Sequence, residues 1–411
     1  MQIRATVACL LLFGCPCFCA TPGQSSASAA QGILLGFSTG GPIRDNHYAA
    51  QQLSTAWIVR DKGTARVVIL PLLVVPRANG FWRVGIESVC EMYGDKNEFR
   101  SRRNIVWSAR IDSTPHLTKG PDCPVKPEVQ NQANSNQASS NGSNSNDDET
   151  EATNGGEVDR YTDCLYRTRT ISFVSPNYIS ETFEEANTED CEVRGGRQTI
   201  WSRVLSITAP EMSEPTGGDK RDPMVKTLSD FAEQDSKRAA GAFNLVFVKG
   251  KKSLQEGGLN CPEADVDYEG WEIKRKDGAW TPWISQELFL GFSECAVDDQ
   301  VPVRLPASLV GRNRVVPDFS ELKKTIPELT DAFTSPGGDT TIAVAGSRLL
   351  VFDVSAGKLG AKLLDVDFPV GATPVMDQWA LGAHVEAWTQ QVEQWRIHPP
   401  PAAIVTSTAT Q

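Results

Sequence analysis

Histidine and methionine are scarce, at four and five residues in 411, and no two cysteines of the body are spaced C-x-x-C. Zinc sites and thioredoxin-like redox centres need such ligands at close spacing, so neither class is supported. Beyond the N-terminus no run approaches the about 18 apolar residues of a membrane helix. The longest candidate, RVVILPLLVVPRANGFW, is broken by Pro71 and Pro76. Basic residues are in deficit, 40 against 51 acidic, and a net charge of −11 repels nucleic-acid phosphates and anionic lipid head groups alike, which sets both aside as partners. Aromatic side chains are absent from 129–158, a stretch rich in Asn and Ser with hardly any aliphatic residue. It cannot bury enough apolar surface to offset ordering entropy, and a disordered insertion is expected there.

What is present begins with Arg4 and the short apolar run ATVACLLLFGCPCFCA, the pattern of a secretory signal peptide over 1–20. LLFGC offers a lipidation site at Cys15, although Pro16 follows it, and ASAA at 27–30 offers an ordinary cleavage site. Either route exports the chain to the periplasm, the outer surface or the medium, with residues 21–31 as a linker. Cys9, Cys15, Cys17 and Cys19 fall in the signal region, leaving Cys90, Cys123, Cys164, Cys191, Cys261 and Cys295. An even number in an oxidising compartment points to disulfides. The pairing stays open between nearest neighbours and a Cys123–Cys164 bridge at the neck of the insertion.

The body reads as α+β, predominantly antiparallel β with a few helices packed on it; an irregular β-propeller-like fold is the alternative. Residues 32–128 form a β-rich N-terminal part, where LSTAWIVRD, ARVVILPLLVV, GFWRVGIESVC and RNIVWSARID are rich in β-branched and aromatic residues. After the insertion, 159–318 form a β-rich middle part with a helix over 222–240, which Asp222 and Pro223 would open. FNLVFVKGKKSL and the tryptophan-rich GWEIKRKDGAWTPWISQELFLGF read as strands, the latter turning at Asp277–Gly278. IVWSARI and TIWSRVLSI echo each other. Residues 319–397 hold a short helix, a hairpin and an amphipathic C-terminal helix, with 398–411 as a disordered tail. In that last helix Leu381, Val385, Trp388, Val392 and Trp395 recur at steps of four and three, one stripe that docks on the protein's own core or on a partner.

Chemistry-bearing motifs are few. GFSTG at 36–40 matches the G-x-S-x-G nucleophile elbow around Ser38, but it lacks a preceding sheet and a helix start, so a glycine-rich turn is expected. His47, His116, His384 and His398 form no ligand or triad spacing. Asp265, Asp267 and Glu269 alternate before Gly270 as in a calcium loop, yet Lys276 stands where a bidentate glutamate belongs. The loop reads either as a calcium site, calcium then being the one cofactor expected, or as a solvated acidic turn. Trp271, Trp280 and Trp283 would serve as a carbohydrate or peptide platform or as strand fillers.

Two resemblances follow from quoted residues. SPGGDTTIAVAGSRLLVFDVSAGKLG, 335–360, resembles a single β-propeller blade, with a Ser-Pro start, two strands and a Gly-x-Leu ending; no other segment repeats it, so a hairpin near the C-terminal helix is expected. ISFVSPNYISETFEE, TIWSRVLSIT and KTLSDFAEQ resemble, in that order, the extracellular domain family of the lysozyme-sensing anti-sigma factor over roughly 160–310. The family's Gly-Gly-Ala-His-Pro turn is replaced by NTEDCEVRGGRQ, and the resemblance implies an α+β exported binding or sensor domain. The expectation is a non-catalytic binding or structural protein of the envelope, with an envelope protein or cell-wall component as partner; the rival is a secreted hydrolase with dispersed acidic residues.

Overall fold

The computed structural model describes residues 30–40, 51–93, 99–119, 162–187, 198–207, 225–231, 236–258, 266–290, 293–402 and 404–407. Its strands follow as β1 (Gln31–Thr39), β2 (Gln52–Asp61), β3 (Thr64–Leu70), β4 (Leu73–Arg77), β5 (Gly80–Tyr93), β6 (Phe99–Arg110) and β7 (His116–Lys119). Next come β8 (Thr162–Val174), β9 (Tyr178–Asn187), β10 (Gln198–Ser206), β11 (Val225–Lys226), helix α1 (Ser236–Glu256), β12 (Trp271–Lys276), β13 (Ala279–Leu290) and β14 (Ser293–Gln300). Two short helices, α2 (Ala307–Val310) and α3 (Phe319–Thr325), precede β15 (Leu329–Thr334), β16 (Thr340–Ala345), β17 (Arg348–Ser355) and β18 (Lys358–Asp367). The chain ends in β19 (Thr373–Leu381), helix α4 (Ala383–Ile397) and β20 (Ile404–Ser407).

Mostly antiparallel β with few helices is therefore the fold class, and its unit is the meander, in which each strand pairs with the next. One four-stranded sheet is β15-β16-β17-β18, and another is β19-β1-β2-β3, in which a C-terminal strand pairs with the N-terminal one. A ten-stranded sheet joins the runs β4-β5-β6, β8-β9-β10 and β12-β13-β14, with β11 at the side of β10. Its seams are a parallel pairing of β6 with β8, Phe99 opposite Thr162, and a short antiparallel pairing of β10 with β13 in register at Trp201 and Gln286. The boundary expected between an N-terminal part ending at 128 and a middle part starting at 159 is thus crossed by hydrogen bonds.

Burial follows the two-residue period of the strands. In β1, Ile33, Leu35 and Phe37 enter a core with Phe333 and Ile342 of the β15–β18 sheet, whereas Leu34 enters a second with Trp57, Val375 and Val392. A strand buried on both faces reads as a continuous apolar run, which is why GILLGF stands out. The third core packs α1 through Phe243 and Phe247 against Trp271, Trp280 and Phe173.

Several expectations change. Of the helix expected at 222–240, residues 225–230 form β11 and a 3₁₀ turn at Leu228–Asp230, 236–240 are the start of α1, and 222–224 and 232–235 lie outside the described residues; α1 then runs through FNLVFVKGKKSL, which was expected as a strand. Those twelve residues are too few to separate a period of two from one of 3.6, and docking on β14 decides for helix. The KTLSD segment likewise forms that 3₁₀ turn and starts no α-helix. The hairpin β16–β17 is present, but as the middle of a four-stranded meander. The C-terminal helix starts at Ala383, because MDQWAL belongs to β19. The tail is not free throughout: Arg83 donates to the Pro401 carbonyl, and β20 lies parallel to β7 with Ile404 opposite His116. The region expected as an insertion, 129–158, lies outside the described residues.

Candidate functional site

Strand β12 alternates Trp271, Ile273 and Arg275 on one face with Glu272, Lys274 and Lys276 on the other. The expected turn forms, with Asp277 and Gly278 both at positive φ (49° and 77°), the geometry of a type I′ hairpin. It returns the chain along β13 and brings Trp280 beside Arg275. The Arg275 guanidinium donates from Nε to Asp331 Oδ2 at 2.6 Å, from Nη2 to the Gly278 carbonyl at 3.0 Å and to the Ala332 carbonyl. Its Nη1 lies 3.9 Å from Asp377 Oδ1, which also accepts from Trp280 Nε1 at 2.5 Å. Phe333 places its ring 3.8 Å from the guanidinium carbon. One cation from β12 thus meets one carboxylate from β15 and one from β19, all with side chains no more than 7% exposed.

Burial sets the protonation there. Desolvation raises the Asp331 pKa, with Arg275 opposing. Desolvation lifts Asp377 to about 6, again against Arg275 and the Trp280 hydrogen bond. When both ionise, the cluster carries one uncompensated negative charge in a closed space. It can take up a proton near neutral pH, but its groups are spent on one another.

Three other polar clusters have the same inward character. Arg60 of β2 reaches Asp339 Oδ2 at 3.1 Å, Thr340 Oγ1 at 2.9 Å and Asp353 of β17, while Gln31 Nε2 and Ser335 Oγ donate to Asp339 at 2.9 and 2.7 Å. For Asp339, burial acts to raise the pKa but is outweighed by the Ser335 and Gln31 hydrogen bonds and by Arg60, and the net direction is down. Glu181, fully buried, accepts from Arg203 Nε at 2.7 Å. Glu272 accepts from Ser285 Oγ at 2.6 Å, Ser202 Oγ at 3.1 Å and Thr182 Oγ1 at 3.0 Å, and pairs with Lys274 at 2.9 Å. Ser285 lies 3.1 Å from Lys274 Nζ, the spacing of a serine–lysine nucleophile pair. Burial would lower the lysine, but Glu272 and Asp298 outweigh it and raise its pKa, so it stays charged and cannot take the hydroxyl proton.

The residues singled out in the sequence land elsewhere. Ser38 is 4% exposed inside β1 between two paired strands, so GFSTG is neither an elbow nor the glycine-rich turn expected of it. Gly36 is required by close approach: a Cβ there would lie 2.4 Å from Leu73 Cδ1 and 2.9 Å from Met376 Cβ. Asp267 Oδ1 accepts from the Glu269 amide at 2.9 Å, which makes an Asx turn, while Asp265 lies outside the described residues. Trp271 and Trp280 are buried fillers, and the Trp283 ring is flanked by Lys274 and Lys276 at 5.3 and 4.9 Å. His384 and His398 are exposed on and beside α4; His47 is outside the described residues, and His116 is placed only as a β7 backbone position.

On α4, Val385, Val392 and Trp395 are buried and Trp388 packs against Trp57 at 5.8 Å and Phe81 at 5.5 Å, so this stripe docks on the protein's own core. Leu381 sits in β19, 45% exposed, and is not part of it. Of the cysteines, Cys15, Cys123, Cys191 and Cys261 lie outside the described residues, and Cys90, Cys164 and Cys295 are placed as backbone only. Among the described residues no group of His, Cys, Asp and Glu converges as a metal site, and no helix is long and apolar enough to cross a membrane.

Sequence reading missed Arg275, Asp331 and Asp377. A charged residue on the apolar face of WEIKRK was the available signal for Arg275; nothing local links it to carboxylates so far along the chain. Two open concave surfaces flank α4. One, of about 820 Å³, lies between its N-terminal half and β2–β3, with Asp61, Arg66, Glu386 and Gln390 on its walls; the other, of about 520 Å³, is bounded by Phe81, Arg110, Trp395 and Pro399 to Pro401.

Comparison with known proteins adds little to this geometry. No family model matches the chain, and no curated protein matches it. Among solved structures, a Bacteroides uniformis protein assigned as a 6-phosphogluconolactonase aligns over 86% of this chain and 100% of its own, at 8% identity and a TM-score of 0.20, a likeness too slight to carry an argument about fold or activity.

Proposed function

We propose that the chain is an exported, non-catalytic binding domain of the cell envelope, built as an irregular propeller-like ring of five meanders. The ring reading is supported by the sequence of meanders and by β19 completing the sheet of β1–β3, as a last strand does when it closes a circle. The echoing segments IVWSARI and TIWSRVLSI then hold equivalent third-strand places, in β4-β5-β6 and β8-β9-β10. The binding reading rests on one observation: the acid–base clusters of the interior are turned on one another, whereas the groove beside α4 is open and mixes charged with apolar walls. An envelope protein or a cell-wall component is the class of partner proposed for it.

The test pairs binding with turnover. Sedimentation with isolated cell-wall material should retain the wild-type chain, and Glu386→Arg with Gln390→Arg, both exposed on α4, should weaken retention about tenfold or more without moving the melting temperature. Turnover of ester or polysaccharide substrates that disappears in Asp265→Ala at an unchanged melting temperature would overturn the reading in favour of a hydrolase. Intact mass of protein from its native host separates a lipid on Cys15 from a cleaved, soluble form.

A further inference from the structure

Helix α1 carries Lys237, Arg238, Lys249, Lys251 and Lys252 against one acidic residue, Glu256, in a chain whose net charge is −11. Its inner face is fixed: Ala239, Phe243, Val246 and Phe247 are buried, and Gly250 approaches β14 so closely that a Cβ would stand 2.8 Å from Val297 Cγ1. This sets the rotation of the helix and leaves Lys237, Arg238, Lys249 and Lys252 exposed. Between them, on the same outward stripe at helical spacing, stand Leu245 and Val248, 68% and 52% exposed, with Tyr268 at 41% beside Phe243.

An aliphatic pair ringed by cations costs free energy in water, and among the described residues nothing covers it. The surface is the convex side of a helix roughly 30 Å long. A planar anionic leaflet fits both halves of the pattern, since aliphatic side chains enter at head-group depth while lysine stems reach up to the phosphates. The chain's overall negative charge opposes this only at long range; within the about 8 Å over which charges act at physiological salt, the local cations decide.

We propose that the outward face of α1 is a membrane-contact surface that binds anionic lipid head groups, lying in the plane of the leaflet. It shares no residue with the groove beside α4. Full-length protein carrying Cys15→Ser, so that no acyl chain contributes, should co-sediment with vesicles of phosphatidylcholine and phosphatidylglycerol in equal parts and lose that binding in high salt. Lys249→Glu with Lys252→Glu should reduce the partition about tenfold or more, and Leu245→Ser with Val248→Ser should reduce it at each salt concentration at which the wild type binds. All variants share one N-terminus, so any anchoring there cancels, and unchanged melting temperatures establish that they fold. Binding that the charge reversal leaves unaltered, or equal binding to phosphatidylcholine alone, would overturn the proposal. Retention by soluble polyglutamate without retention by vesicles would also overturn it, in favour of an acidic protein partner, and the cell-wall assay on the α4 variants would read the same in either case.

Discussion

Two joints hold neighbouring meanders together with the same chemistry at different depth. In each, one arginine stands between two aspartates: Arg275 between Asp331 and Asp377, and Arg60 between Asp339 and Asp353. The first pair of carboxylates is sealed, at 7% and 5% exposure; the second is about one third exposed, at 34% and 32%. Depth reverses the sign of the effect on protonation. Burial wins at Asp377 and raises it to about 6, while hydrogen bonds and Arg60 win at Asp339 and lower it. An ion pair therefore has no fixed meaning for stability until the solvent around it is known.

The largest break in this comparison should come from Arg275→Met. It leaves two carboxylates buried without their cation, and a loss of about 3–5 kcal/mol is expected in urea unfolding at neutral pH. The loss should shrink in mild acid, where the carboxylates take up protons. Next in size is the pH response of Asp377. Its folded pKa exceeds the unfolded 3.8, so the native chain binds more protons between those values; this stabilisation is complete below about 4 and lost as pH rises through about 6. Melting curves should show roughly 2–3 kcal/mol of this dependence, and Asp377→Asn should flatten it.

Arg60→Met is expected to cost less, about 1–2 kcal/mol, because water reaches its aspartates and screens them. Asp339 should give the opposite pH trend, since its folded pKa lies below the unfolded one: its contribution is present above 3.8 and lost as pH falls through the folded value. A rise in midpoint on acidification in the Asp339→Asn background, absent with Asp377→Asn, would assign the two limbs. The smallest effect is expected at a third set, where Arg348 bonds Asp365 and Asp367 on the surface. There Arg348→Ala should leave the denaturation midpoint unmoved within error.

The same depth separates what the sequence revealed from what it hid. Strands β16 and β17 were legible because their pairing is local and a Gly-Ser turn marks it, and the α4 stripe was legible because its period is helical. Strand β1 lies in the part expected to be β-rich, but Gly36 was misread as belonging to a turn, since its cause is the close approach of Leu73 and Met376. FNLVFVKGKKSL went to the wrong class because its apolar residues fit either period until Val297 supplied a surface. The Arg275 joint could not be read at all. It exists where three strands from separate meanders converge, and no spacing along the chain encodes that meeting.

The pairing of β19 with β1 has a consequence for the order of events during synthesis. Ser38 and Thr373 meet across 335 positions, so the first of the described strands waits for nearly the last of them before its second edge is covered. Until then β1 is an apolar segment with one side open, exposed to wrong pairing and to whatever holds the chain unfolded. The sheet β19-β1-β2-β3 therefore cannot be completed before nearly the whole described chain has been made.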